Sequence, residues 1–467
     1  MSSFSGLSTA LSALQATRKA LDVTGNNIAN VATPGYTRQR VDLQPATTAV
    51  GLMTTGQQGG NGVMLTGVSR LASAFWDAQV RSQTSLHADL ASRADTLNTL
   101  QDLTGEPSDT ALAGSLSKMW SAFANLASNA TGTNKDAARS VVVSSAENVA
   151  NSLKNGYAGI VAMWNDQRTQ ATSIANEVNA TAQAVATFNQ QIKTAVAAGN
   201  SANELMDQRD QLVVRLAELT GATTVQAPNG VVDVYLGSNA LVQGGSSYTV
   251  AMSAPTTTNT LPPTGSPSLK FTDGSVASVR GGQLAGVLDA LRVGGTLDTA
   301  AAQYDTVANT VKSVVNTAYA ATQVAADGAT VPVFFSTSGT GATGLSVAVT
   351  TSTLRTGNTD TKGAGDASVA LAMSTLGKAT GSPDSLWTTY VSQLGADAAG
   401  ATSRTTATAA TLANSVSSKQ SETGVSLDEE TANLLTLQRA YQAAARVLTS
   451  VDEALDTLIN KTGLVGR

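Results

Sequence analysis

The 467-residue sequence has no cysteine and a single histidine, His87. The first absence excludes a disulfide framework, a thiol nucleophile and a cysteine-based zinc site. The second excludes a multi-histidine metal site and argues against histidine-based acid–base catalysis. Aromatic residues make up 4% and charged residues 13% of the chain, both low for a globular protein. Ala, Ser, Thr and Gly fill the gap, and such small side chains suit long, closely packed helices better than one wide sandwich. A net charge of −5 argues against a nucleic-acid partner. No run of roughly 18 apolar residues is present, so no membrane span is expected. The opening Met1-Ser2-Ser3-Phe4-Ser5 lacks the basic and apolar stretches of a cleaved secretory signal. That reads as cytoplasmic by default, and it equally suits export by a route that cleaves nothing.

Proline is scarce in an informative way. The ten prolines leave residues 108 to 227, 268 to 331 and 384 to 467 free of it. Proline costs about 3 kcal/mol inside a helix, so these Ala-, Gln- and Leu-rich stretches are helix candidates. The set Leu71, Phe75, Leu86, Leu90, Leu97 and Leu100 predicts one helix. Lys135 to Ala198 predicts another, roughly 90 Å long if unbroken, with Asn155-Gly156 and Gly199-Asn200 as expected interruptions. Between Thr223 and Val279, Gly, Pro, Thr and Val dominate, and Val231-Val232-Asp233-Val234-Tyr235-Leu236 alternates as a strand does. A second β-like patch runs from Val331 to Thr353.

What is present in strength lies at the two ends. Leu7, Leu14, Leu21 and Ile28 repeat every seven residues, with Leu11 beside the first. Leu427, Leu434, Tyr441, Leu448 and Leu455 do the same near the C-terminus, and Leu437, Ala444, Val451 and Leu458 form a second row. This is an a/d heptad seam. Burying each large apolar member contributes roughly 1.5–3 kcal/mol. The C-terminal helix opens on Ser426-Leu427-Asp428-Glu429, a capping box, with acids at 428 to 430 matching the helix dipole. Lys461 and Gly463 suit its end. Such stripes equally pack on the body of their own domain. Two terminal heptad helices in one chain fit better if they pair with each other.

Patterns that could carry chemistry are few. Gly339-Thr340-Gly341-Ala342-Thr343-Gly344 matches G-x-G-x-x-G, yet a strand-like stretch follows where a dinucleotide site needs a helix. It reads as a flexible glycine loop. His87 beside Asp89 reads as a solvated helical residue, and Asp207, Arg209 and Asp210 as surface ion pairs worth a few tenths of a kcal/mol. Asp428, Glu429 and Glu430 read as capping acids rather than metal ligands. No nucleophile elbow or phosphate-binding loop occurs. No catalytic, cofactor or metal residue is assigned, and the chain is not expected to be an enzyme.

The sharpest segment runs from Thr24 to Arg40. Asn26, Asn27 and Asn30 close a helix, Pro34-Gly35 suits the centre of a type II turn, Tyr36 is an aromatic anchor, and Val41 and Leu43 begin an extended piece. A plain helix–turn–strand junction accounts for the turn. It does not account for three asparagines in five residues, whose amides bond only where backbone is close.

The run NNIANVATPGYTRQ resembles the N-terminal signature of bacterial flagellar axial proteins: rod, hook and hook-associated proteins. GVSLDEETANLLTLQRAYQAAARVLTSVDEALDTLIN resembles the partner C-terminal signature. Within that group the chain is most similar to the hook-associated protein 1 (FlgK) family. Asn203 to Leu212 resembles the family's helix-ending D-x-R-D-x-L run, and Gly281 to Asp289 its glycine-led helix start. The likeness spans nearly the whole chain, strongest at its ends.

The resemblance implies a mainly α fold with β insertions, elongated and multi-domain, its terminal helices paired as a coiled coil beside a long helix bundle and a small β-rich outer part. Residues 1–70 would form an N-terminal inner-layer helix and extended segment, and 71–222 a long helical domain. Residues 223–282 would be β-rich, 283–330 a helical return, 331–360 β-rich, 361–424 helical again, and 425–467 the C-terminal inner-layer helix. The implied role is a structural junction protein that self-assembles into a ring, with hook protein below and hook-associated protein 3 above. An export chaperone would bind the C-terminal region, and subunits would leave uncleaved by the flagellar type III route to an extracellular site. Neither nucleic acid nor membrane is an expected partner. The heptad residues above, with Asn26, Asn27, Asn30, Pro34, Gly35 and Tyr36, are the expected assembly interface. Another axial component such as hook or distal rod is the nearest alternative. A wall hydrolase on an axial scaffold would need paired carboxylates in a module of its own. A cytoplasmic coiled-coil signalling protein fits neither the β insertions nor the NNIAN–TPGY segment.

Overall fold

A computed structural model describes residues 3–46, 62–253, 258–321, 333–336, 339, 341–357 and 365–457. Their fold is mainly α with β insertions. Helix α1 (Ser3–Ala29) leads into the antiparallel pair β1 (Gln39–Pro45) and β2 (Val63–Arg70). Helices α2 (Ala74–Thr104), α3 (Leu112–Ser128), α4 (Lys135–Ala197) and α5 (Asn203–Thr220) follow. Strands β3 (Thr223–Gln226), β4 (Val232–Leu236), β5 (Asn239–Gln243) and β6 (Ser246–Ser247) form an antiparallel meander. Strand β7 (Val250–Met252) pairs with β8 (Leu269–Phe271). The chain then returns to helix in α6 (Gly282–Leu291), α7 (Thr296–Ala321), the single turn α8 (Gly341–Gly344), α9 (Ser368–Ser374), α10 (Pro383–Thr423) and α11 (Leu427–Asp456).

These elements gather into two compact units. The first comprises Met1–Thr84, Asn179–Tyr248 and Ala410–Arg467; the second comprises Ser85–Val178 and Thr249–Ala409.

In the first unit α1 packs along α11. A Cβ on Gly6 would lie 3.7 Å from Val451, while Asn27 at the other end reaches Glu430, so the helices run antiparallel. On α11 the half-buried residues include Leu434, Leu437, Ala444, Leu448, Val451 and Leu455, with Tyr441 at the margin. These are the heptad positions, covered on one side only. Leu427 is 47% exposed, and Leu458, Lys461 and Gly463 lie outside the described residues. On α1 the buried residues are the small Ala10 and Ala16 with Val23, Thr24 and Asn27. Leu7, Leu14, Leu21 and Ile28 flank that face half-buried, and Leu11 is 49% exposed. The meander packs by period-two alternation: Val232, Val234 and Leu236 point inward. Asn189 of α4 fastens it, donating to the carbonyls of Val232 and Gly244 at 2.8 Å each and accepting from Val232 N at 3.2 Å.

The second unit concentrates the few aromatics. Phe123, Trp164, Tyr319, Phe334, Phe335 and Trp387 are all fully buried there. The Phe334 ring lies 5.5 Å from Phe123 and 5.8 Å from Tyr319. Trp164 donates its indole N–H to the carbonyl of Leu291 at 3.0 Å.

Three local expectations are corrected. Helix α4 does not break at Asn155-Gly156. A Cβ on Gly156 would stand 2.1 Å from Cε1 of the buried Tyr304, so this glycine admits a neighbour rather than ending a helix. The helix ends instead before Gly199, whose φ is 78°. Across Val331 to Thr353, the described residues show one antiparallel bridge, Phe335 to Val347. Asn316 of α7 takes the backbone groups a partner strand would use, accepting from Phe334 N and Phe335 N and donating to Phe335 O. Thr340 lies outside the described residues, and Gly341–Gly344 of the glycine-rich stretch form a turn of helix. Its amides at Gly341 and Ala342 donate to Asn309 and Asp305, so these donors are already occupied by side chains.

Replacing Gly156 by alanine pits a helix-propensity gain of about 1 kcal/mol against overpacking of about 1–3 kcal/mol. Tyr304 is 3% exposed and has little room to retreat. The variant is expected to be less stable in urea unfolding; a stabilised variant would show that Tyr304 repacks freely.

Candidate functional site

The asparagine–turn segment is the best-built polar site of the first unit. Asn27 is 1% exposed, and its amide is fully used. It donates to Gln39 O at 2.9 Å and to Glu430 Oε2 at 3.2 Å, and accepts from the Tyr36 hydroxyl at 2.9 Å and Gln39 N at 3.0 Å. One side chain therefore ties the end of α1 to its turn, to β1 and to the first turn of α11. Asn26 and Asn30 do lighter work near the surface, bonding each other, and Thr33 donates to Asn30.

The turn is type II, as its sequence suggests. Tyr36 N donates to Thr33 O at 3.2 Å, with Pro34 and Gly35 between them and Gly35 at φ 78°. Gln211 of α5 donates to Pro34 O at 2.8 Å, and a Cβ on Gly35 would collide with that amide.

Arg38 carries the site across to α11. Its Nε donates to Glu430 at 2.7 Å and its Nη1 to Glu429 at 2.8 Å. The expected capping box is thus corrected: the Ser426 side chain makes no capping hydrogen bond, and Glu430 is 2% exposed in an ion pair. A partner almost 400 positions upstream outcompetes the local backbone for these acids.

The Asp207–Arg209–Asp210 cluster is corrected in the same sense. Arg209 is 1% and Asp207 6% exposed, so these are not surface ion pairs. Arg70, the last residue of β2, bridges Asp207 at 2.8 Å and Asp210 at 2.7 Å. Thr37 N donates to Asp207 at 3.0 Å. Arg209 binds Asp210 and the carbonyl of Gly230. Burial pushes the Asp207 carboxyl up, opposed by the Thr37 hydrogen bonds and Arg70.

The Tyr36 phenol is pushed up to about 12, first by burial and then by the charges of Glu204, Asp207 and Glu430. A folded-state value above the unfolded one favours the neutral phenol, so the contribution is present below pH 10 and is lost as pH rises from about 10 to 12. Tyr36→Phe is expected to flatten the alkaline arm of a stability–pH curve over that window. An unchanged arm would remove Tyr36 as its cause.

Sequence reasoning assigns no role to Arg38, Gln39, Arg70, Asn203 or Gln211, although Arg38 and Gln39 lie inside one quoted run and Asn203 and Gln211 inside another. Asn203 donates to Val68 O at 2.9 Å and to Gln39 at 3.3 Å, which fixes α5 under the strand pair. Away from this site, His87 sits 3.4 Å from Thr408, and Asp89 pairs with Arg93 rather than with the histidine. Among the described residues, no group of three or more His, Asp or Glu could hold a metal, and no helix is long and apolar enough to cross a membrane. The site is a hydrogen-bonded network that fastens three chain segments.

The model of the flagellar hook-associated protein FlgK helical domain matches residues 97–335, just over half of the chain. The chain belongs to the FlgK family. Models of flagellar rod proteins match its two ends: the flagella basal body rod protein over residues 7–37, and the C-terminal FlgEFG rod model over 418–461. The FlgK-family chain is 28% identical to flagellar hook-associated protein 1 of Bacillus subtilis (strain 168), over 516 aligned positions and the full length of both. It is 32% identical to hook-associated protein 1 of Salmonella typhimurium over 52% of this chain and 43% of that one. A solved structure, the flagellar hook junction protein FlgK from Burkholderia pseudomallei, is 26% identical over 52% of this chain and 44% of that chain, with a TM-score of 0.44. FlgK-family proteins are structural rather than enzymatic components of the flagellum. The two rod-model matches include Asn27, Arg38's neighbours in the turn, and Glu430, so the polar fastener joins the two rod-like ends.

Proposed function

We propose that this chain is the structural junction protein between flagellar hook and filament, forming a ring on which the filament is built. The observation that carries this reading is the full-length likeness to a hook-associated protein 1, with a FlgK helical domain between the rod-like ends. Another axial component remains the second reading because the rod models match both termini; the FlgK domain in the middle favours the junction.

In this reading the antiparallel terminal helices act as a coiled-coil inner layer, residues 71–222, 283–330 and 361–424 as the helical layer, and the β-rich segments as the outer one. The half-covered heptad seam supports it. Leu11, Leu427, Leu435 and Val447 are each at least 47% exposed on the paired helices, and apolar surface of this kind marks contact sites. The neighbours would be further copies, hook protein below and hook-associated protein 3 above. An export chaperone would cover the C-terminal seam before type III export to the extracellular flagellum.

Deleting the gene in its source organism tests the role. Hooks without filaments, with flagellin lost to the medium, are expected by electron microscopy and immunoblotting. Cells without hooks would move the protein to rod or hook, and normal filaments would overturn the proposal.

A further inference from the structure

The first unit contains one non-glycine residue with a left-handed backbone among the described residues, Asn229, at φ 61° and ψ 33°. Gly230 follows at φ 74°. Together they form the centre of a type I′ turn, closed by Val231 N donating to Pro228 O, at the tip of the β3–β4 hairpin. The Asn229 side chain is exposed. We propose that Asn229 is a spontaneous deamidation site, and that Arg209 holds its rate down.

The chemistry needs only water. The main-chain nitrogen of Gly230 attacks Cγ of Asn229, a C–N bond forms, and the side-chain nitrogen leaves as ammonia with the transferred proton. The resulting succinimide ring is opened by water at either carbonyl, giving aspartate or isoaspartate. Glycine at the following position puts no side chain in the way of the attacking nitrogen. Ring closure requires Asn229 to leave its ψ of 33°, so the turn must open first. Arg209, 1% exposed, donates to the carbonyl of Gly230 and thereby restrains that opening. Asn155-Gly156 is the same dipeptide in a different setting: it lies inside α4, its backbone held in the helix ladder and Gly156 packed on Tyr304. Opening there requires breaking the helix, whereas a hairpin tip opens at small cost.

The product matters for the fastener described above. It places a new carboxylate on the residue preceding the one whose carbonyl Arg209 binds. Isoaspartate also lengthens the turn by one backbone atom.

Full-length protein is incubated in alkaline buffer and sampled over weeks by peptide mapping with isoaspartate detection. The peptide containing Asn229 is expected to convert about tenfold or more faster than that containing Asn155, equivalent to about 1.4 kcal/mol in opening. Arg209→Lys, shown folded by circular dichroism, is expected to convert Asn229 faster still. Equal rates at the two sites overturn the site. So does an unmodified Asn229 in native protein whose urea-unfolded form is converted. A folded Arg209→Lys variant with an unchanged rate overturns the restraint. If that variant does not fold, the wild-type comparison decides the site, and Arg209→Gln, which shortens the side chain and removes its charge, tests the same bond to Gly230 O by the same readout, an unchanged rate overturning the restraint.

Discussion

Replacing Glu430 with alanine is expected to remove about 3 kcal/mol of stability, at the lower edge of the range for breaking a buried ion pair. The carboxylate is 2% exposed and takes a hydrogen bond from Arg38 Nε at 2.7 Å and from Asn27 at 3.2 Å. Its loss strands one N–H of a buried amide and half of a guanidinium. The lower edge applies because the Arg38 side chain is 22% exposed and retains some water. Glu429 bonds the same guanidinium but is 63% exposed, so Glu429→Ala is expected to lose less than about 1 kcal/mol. Urea unfolding of the two variants side by side measures the contrast. Equal losses would mean that burial of Glu430 carries no special weight.

Trp164→Ala is expected to lose about 3–5 kcal/mol, the range for truncating a large buried aromatic. Trp164 is fully buried in the aromatic core of the second unit, and a protein with so few large side chains has little to move into the vacancy. Trp164→Phe separates two contributions. It keeps most of the apolar surface but leaves Leu291 O without its donor, and is expected to lose about 1–3 kcal/mol. If phenylalanine is as damaging as alanine, the hydrogen bond rather than packing dominates. Denaturant midpoints at constant slope decide between them.

Local regularities are legible in the sequence alone. The seam Leu434, Leu437, Leu448, Val451 and Leu455 follows from one face of one helix, and Pro34-Gly35 follows from the φ that a type II turn demands. What failed was set by distant partners. Asp207 looks like a surface acid because Arg70, which covers it, is 137 residues away in sequence. Gly156 looks like a helix breaker because Tyr304, which needs the space, belongs to another helix. The three asparagines announce a close backbone approach, but that Asn27 alone of them is buried, with Glu430 as a partner, depends on the tertiary fold. In each case the residue type was informative and its environment was not.

The bond between Asn27 and Glu430 joins positions 403 apart. Closing so long a segment of flexible chain costs about 5 kcal/mol of entropy by the logarithmic rule, less if the intervening helices form first. It also sets an order of events. The first unit combines segments from before and after the second, so a nascent chain still short of Glu430 has no partner for Arg38 and no surface for the apolar side of α1. The second unit ends at Ala409 and has its whole sequence available earlier. Helix α1 therefore waits: it is made before the second unit and is seated only after Glu430 has followed.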